Sequence, residues 1–177
     1  MQNTTISDIY EANASIRAKL RQTLASITDQ QAKVRPDGEN WSISEVAEHV
    51  SMVGSGLYRI CAKLLSKVEA AGYPSDGTVD MTTFSAKISE IAEVKLEAPD
   101  MVRPTGTKSI AESLSSLEET ENSLRSLRPI FEKYDTNKPK FSHPYLGDMS
   151  AAEWLAMYGL HEGRHLRQIK NILEKMG

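Results

Sequence analysis

Apolar residues recur at three- and four-residue intervals along most of the chain. Strict apolar–polar alternation is nearly absent, so the pattern predicts an all-α protein. A first helix is expected over about residues 7–27, with Ile9, Ile16, Leu20, Leu24 and Ile27 on one side. The polar stretch after it ends in Arg35-Pro36-Asp37-Gly38-Glu39-Asn40, whose proline and glycine predict a chain reversal. Ser42 and Glu45 then form a capping box, the serine oxygen accepting from a free helix amide and the glutamate reaching back to the serine amide. Val46, Val50, Val53, Leu57, Ile60, Leu64 and Val68 continue as a stripe until Gly72, Tyr73 and Pro74 stop it. Between residues 75 and 107 the periodicity weakens. A short helix is expected over 82–94, followed by an irregular stretch, 98–106, where Pro99 and Pro104 exclude a continuous helix. Phe84, Ile88, Ile91 and Leu96 mark this connection as a packed crossover rather than a free linker. Ser109 with Glu112 and Ser150 with Glu153 cap two further long helices. The first carries Ile110, Leu114, Leu117, Leu124 and Leu127 toward Tyr134; the second runs to about Lys175 through Trp154, Tyr158, His161, His165 and Ile172. Residues 135–149 between them read as a loop. Four long amphipathic helices with an elaborated connection between the second and third predict a four-helix bundle, with residues 1–177 as one domain.

Composition narrows the function. The chain has 177 residues, 40% of them apolar, enough to close a single core. With 21 basic and 24 acidic residues the net charge is −3, which argues against nucleic acid as a partner. Cys61 is the single cysteine, so neither an intramolecular disulfide nor a thiolate metal cluster is available, which suits a reducing cytoplasm. No basic-then-apolar leader and no run of eighteen apolar residues is present, so a soluble cytoplasmic protein without a membrane partner is expected.

What remains is four histidines. His161 and His165 are four residues apart on a helix, so their side chains stack one above the other with about 6 Å of axial rise. They fall within the stripe that contains Trp154, Tyr158 and Ile172. His49 lies at the edge of the second long helix's buried face, three residues after Val46 and four before Val53. Taken singly, a histidine on an apolar face is more often a hydrogen-bonded core residue than a ligand. Three of four on inward positions point further, because burial without a partner costs about 1–3 kcal/mol apiece and one shared divalent cation would satisfy all three. Neutral imidazoles favour Zn²⁺, Ni²⁺ or Fe²⁺ over Mg²⁺ or Ca²⁺, and three protein ligands leave a position for water or substrate.

The segment Trp41-Ser42-Ile43-Ser44-Glu45-Val46-Ala47-Glu48-His49 resembles the W-S-x-x-E-V-x-x-H opening of the second helix in the DinB/YfiT-like metalloprotein superfamily. His143-Pro144-Tyr145-Leu146-Gly147, Glu153-Trp154 and His161-Glu162-Gly163-Arg164-His165-Leu166-Arg167-Gln168-Ile169 are similar to the H-P-x-x-G, E-W and H-x-x-R-H-x-x-Q-I signature of its DinB-like branch. The resemblance implies a four-helix bundle in which His49, His161 and His165 hold a divalent metal, commonly Zn²⁺ or Ni²⁺, and a homodimer. Relatives in that superfamily include thiol-dependent S-transferases and isomerases, and others labelled as hydrolases. The expectation is therefore a metal-dependent hydrolase or thiol S-transferase acting on a small molecule, with a low-molecular-weight thiol as cosubstrate. The alternative is a stress-associated bundle that binds metal or a partner without turnover.

Other residues carry weaker signals. His143, in the loop entering the last helix, is a candidate catalytic acid–base group, substrate donor or transient fourth ligand, against the plainer role of a capping or packing residue. Glu48 and Glu162 adjoin ligands in sequence but point about 100° away on the helix. Glu45 competes between supporting His49 and capping. Arg164 is expected to pair with a glutamate rather than to bind an anionic substrate. Trp41 and Trp154 read as packing residues at helix entries, Cys61 as packing rather than nucleophile, and Glu118, Glu119 and Glu121 as a solvated face.

Overall fold

The computed structural model describes residues 4–91, 94 and 97–177. In chain order the helices are α1 (Ile6–Ala25), the short α2 (Asp29–Lys33), α3 (Ile43–Ala71), α4 (Thr82–Ile91), α5 (Ile110–Lys133) and α6 (Ala151–Met176). A 3-10 turn (Asp100–Val102) lies before α5. Two small antiparallel pairs join β1 (Thr4–Thr5) to β2 (Thr78–Val79) and β3 (Lys140–His143) to β4 (Gly147–Ser150). All three capping boxes read from the sequence are formed, at Ser42/Glu45, Ser109/Glu112 and Ser150/Glu153. Thr5/Asp8 and Thr28/Gln31 add two more, at α1 and α2. Gly72 closes α3 at φ +70°, a conformation that glycine adopts without the steric cost of a Cβ.

The four long helices pack in the cyclic order α1, α6, α3, α5, the α5–α1 seam being the loosest. One apolar cluster gathers Leu57, Leu65, Phe131, Trp154 and Leu155; a second gathers Leu20, Val46, Val50, Leu117, Leu166 and Ile169. Each fully buried aliphatic side chain contributes roughly 1.5–3 kcal/mol, and these stripes hold the bundle together. This is the helical bundle the periodicity predicts, and no helix among the described residues is long and apolar enough to cross a membrane.

The departures are local. α1 begins at Ile6 and ends at Ala25 rather than spanning 7–27. Its inward stripe includes Asn13 and Arg17, whereas Ile16 is only partly buried. The short helix is described to Ile91; residues 92 and 93 of its expected span, and Leu96, lie outside the described residues. Residues 135–149, expected to be a loop, contain the β3–β4 hairpin. Its strands have four residues each with no alternating pattern, so their signal is tertiary. Gly147 turns the chain at φ +69°, Met149 is buried, and the Trp154 indole N–H donates to the Phe141 carbonyl at 3.2 Å. The same holds for α2 and the β1–β2 pair, too short to show a period.

Candidate metal centre

α3 and α6 bring three imidazoles together. His49 is on the face of α3 turned toward α6, and the i, i+4 pair His161 and His165 lies opposite on α6. One nitrogen from each falls within 4.8 Å of the others. His49 and His165 are buried; His161 keeps partial exposure, so the cluster meets solvent at that ring. Trp41, just before the Ser42 cap, lays its indole 4.9 Å from the His49 ring and 6.5 Å from that of His165.

Hydrogen bonds fix how the rings present their nitrogens. His49 Nδ1 is 2.7 Å from the Val102 carbonyl, which can only accept, so Nδ1 carries the proton and Nε2 has a free lone pair. His165 Nδ1 likewise donates to Gln168 Oε1 at 2.8 Å. His49 Nε2 and His161 Nε2 are 3.2 Å apart. Two nitrogens bound about 2.1 Å from one tetrahedral ion are roughly 3.4 Å apart, so this pair already has ligand spacing. Burial lowers the pKa of all three, and neighbouring rings add to it at His161 and His165. His165 falls to about 3, His161 lies well below the ordinary histidine range, and His49 is lowered although its bond to Val102 opposes the shift. Three clustered neutral imidazoles, two of them with Nδ1 protonated and Nε2 left to ligate, suit a borderline-soft divalent cation.

The surrounding acids do other work. Glu48, 2% exposed, accepts from Thr105 Oγ1 at 2.7 Å and from the Gly106 amide at 2.8 Å. Burial pushes its pKa up, but those hydrogen bonds, with Lys108 nearby, outweigh it and hold the carboxyl below its usual range. Glu45 stays a cap, accepting from the Ser42 amide at 2.7 Å and pairing with Arg35. Glu162 turns to α1, where both carboxylate oxygens accept from Arg17 Nε, at 2.7 and 2.9 Å. Arg164 donates to the Val94 carbonyl at 3.0 Å instead of pairing with a glutamate, and among the described residues it makes no ion pair. His143 is outside the cluster. Its Nδ1 accepts from the Tyr145 and Leu146 amides at 3.2 and 3.3 Å, and its ring lies 5.3 Å from that of Trp154. With Nδ1 an acceptor, the neutral ring carries its proton on Nε2 and can only donate there. Cys61 is fully buried and burial raises its thiol to about 12, so it packs. Glu118 and Glu121 are less free than a solvated face suggests, for both pair with Arg21 of α1.

Sequence reasoning finds the three histidines but not what orients them. Gln168, three residues after His165 on the same helix face, is recoverable from spacing. Val102, Thr105 and Gly106 come from the irregular crossover and give no local signal. A cavity of about 230 Å³ in the loose α1–α5 seam, lined by Tyr10, Arg17, Leu124, Leu155 and Tyr158 among others, does not include the histidines.

A helical bundle with three converging imidazoles, two of them fixed in tautomer by a hydrogen bond, defines a class: a helical bundle with a three-histidine cluster compatible with a divalent cation. The chain belongs to the DinB superfamily, whose family model matches residues 13–169. That superfamily is metal-binding, and the histidine cluster is compatible with a divalent ion here. The chain is 24% identical over 158 residues to the uncharacterized protein YuaE of Bacillus subtilis strain 168, covering 86% of this chain and 90% of YuaE. It also matches the solved structure of TT2238, a four-helix bundle protein, with a TM-score of 0.60 at 18% identity, over 94% of this chain and 98% of that one; the likeness supports the fold.

Proposed function

We propose that the protein is a metal-dependent enzyme in which His49, His161 and His165 hold a divalent cation, Zn²⁺ or Ni²⁺, and which acts as a hydrolase or thiol-dependent S-transferase on a small molecule. The observation that carries this reading is the cluster itself: three neutral imidazoles within 4.8 Å, two of them with the second nitrogen committed to a carbonyl or amide oxygen. Bound there, a divalent cation supplies Lewis acidity that lowers the pKa of a water or thiol in its remaining position. The protein's own part is to keep the imidazoles neutral by burial and to hold two of them in the tautomer that offers Nε2. Access is from the His161 side, the one ring of the three with partial exposure. His143, outside the cluster, contributes an Nε2–H donor toward substrate in this reading, a role supported by its Nδ1 accepting from the Tyr145 and Leu146 amides. Since Cys61 is buried, any thiol in the reaction is brought in from outside.

A second reading, a bundle that binds metal without turnover, is favoured by the enclosure of His49 between the Trp41 ring and the Val102 carbonyl. The test is metal analysis of purified protein, followed by a screen of low-molecular-weight thiols with electrophilic acceptors and of simple ester and amide substrates. The enzyme reading expects near one metal per chain and turnover abolished in His161→Ala. It also expects lower turnover with unchanged metal affinity in His143→Gln. Metal bound without turnover supports the second reading, and no metal bound overturns both.

A further inference from the structure

Two adjacent residues of α3 hold the same distant segment by different groups. Glu48 spends one carboxylate oxygen on the Thr105 hydroxyl and the other on the Gly106 amide, and His49 donates to the Val102 carbonyl. Thr105 is exposed while Glu48 is buried, so this carboxylate ties a surface segment down onto the helix beside the histidines. Gly106 sits at φ +73°, a conformation strained for any residue with a Cβ, and from there its N–H reaches Glu48.

We propose that residues 99–107 form a strap that pre-positions the metal centre, with Glu48 as its latch, so that cation binding and strap closure are coupled. The inference rests on the metal reading above. The physical link is the Val102 carbonyl. It is within reach of His49 Nδ1 only while the strap is down, and there it fixes the ligating tautomer and raises the basicity of Nε2. A cation on Nε2 in turn polarises Nδ1–H and strengthens its bond to the strap. Linkage requires the two effects to be equal: the factor by which closure tightens cation binding is the factor by which the cation favours closure. Glu48 is thus a positioning residue that acts through Thr105, Gly106 and Val102.

The test uses the full chain and Zn²⁺ alone, with affinity measured against a chromophoric chelator and strap order by amide hydrogen exchange. In Glu48→Gln the carboxamide keeps one acceptor oxygen where the carboxylate has two, and Zn²⁺ affinity should fall about 10- to 100-fold. Thr105→Val, at an exposed position outside the buried core, should weaken it about threefold or more. Zn²⁺ should slow exchange of the Gly106 amide in the wild type, and do so less in both variants. Asn13→Ala, which removes a bond to the Leu155 carbonyl on another face of α6, controls for general loosening and should leave Zn²⁺ affinity within about twofold of wild type. Affinities unchanged in Glu48→Gln and Thr105→Val beside tight wild-type binding would overturn the latch alone, as would a Gly106 amide indifferent to Zn²⁺. A wild type that binds no Zn²⁺ would overturn the latch together with the metal reading.

Discussion

The three histidines show how far a single residue type can be read. Spacing on two helices places His49, His161 and His165 on inward faces, and the fold brings them together. Spacing is silent on tautomers, because the partners that set them include a carbonyl from an aperiodic crossover, and on His143, whose capping of its own hairpin depends on strands with no sequence signal. The buried state of these rings has a thermodynamic consequence. His165 has a native pKa of about 3 against about 6.5 in an unfolded chain, so between those values the unfolded state binds the extra proton. Stability is therefore fully present above pH 6.5 and is lost as the pH falls toward 3. From His165 alone, the loss between pH 7 and 5 should be about 2 kcal/mol in the presence of chelator. Urea unfolding at the two pH values measures it; His165→Gln should flatten the slope, and parallel slopes would show that burial of this ring is not its source.

At the scale of elements, α1 is where a hydrophobic stripe misleads. Its inward face runs Ile9, Asn13, Arg17, Leu20, Leu24, and the two polar members are legible only with α6 in place, since Asn13 donates to the Leu155 carbonyl and Arg17 to Glu162. The four long helices, by contrast, were plain in the sequence because each is long enough to repeat its period and carries its own stop or cap. The α1–α6 contact leaves no room for a side chain at Gly159: a Cβ there would collide with Asn13 Oδ1 and lie 2.8 Å from Asn13 Cγ. Gly159→Ala should destabilise the protein by about 1–3 kcal/mol despite the better helix propensity of alanine, as thermal unfolding would show. At the ion pair, Glu162→Leu leaves the Arg17 guanidinium, which cannot lose its proton, with the Glu121 carboxylate 3.6 Å away as its remaining acidic partner among the described residues, and should cost about 3 kcal/mol. Arg17→Met should cost less, because the carboxyl left behind can take up a proton. The reverse order in chemical denaturation would mean that Arg17 matters for its stacking on Tyr158, 4.6 Å away, more than for its charge.

For the whole molecule, the cluster joins α3 to α6 across the centre of the bundle, so a cation there binds the native state and not the unfolded chain. Zn²⁺ at one hundred times its dissociation constant should raise the unfolding free energy by about 2.7 kcal/mol. Calorimetry with and without the ion tests this, and the gain should vanish in His161→Ala. The cyclic order of the helices carries one more implication, for how the chain is made. α1 lies chiefly against α6, the last helix, rather than against α3, the next long helix along the chain, whereas α3 has its main partner in α5, the next one. During synthesis α1 leaves the ribosome with its stripe uncovered and stays so until α6, the last helix, is translated. Until then α3 holds His49 without the two histidines opposite. Loop closures of this length slow folding relative to bundles built from successive hairpins. The α3–α5 pair can close before α6 is made, so α6 completes the bundle: α1 is covered and the three histidines meet in the same event.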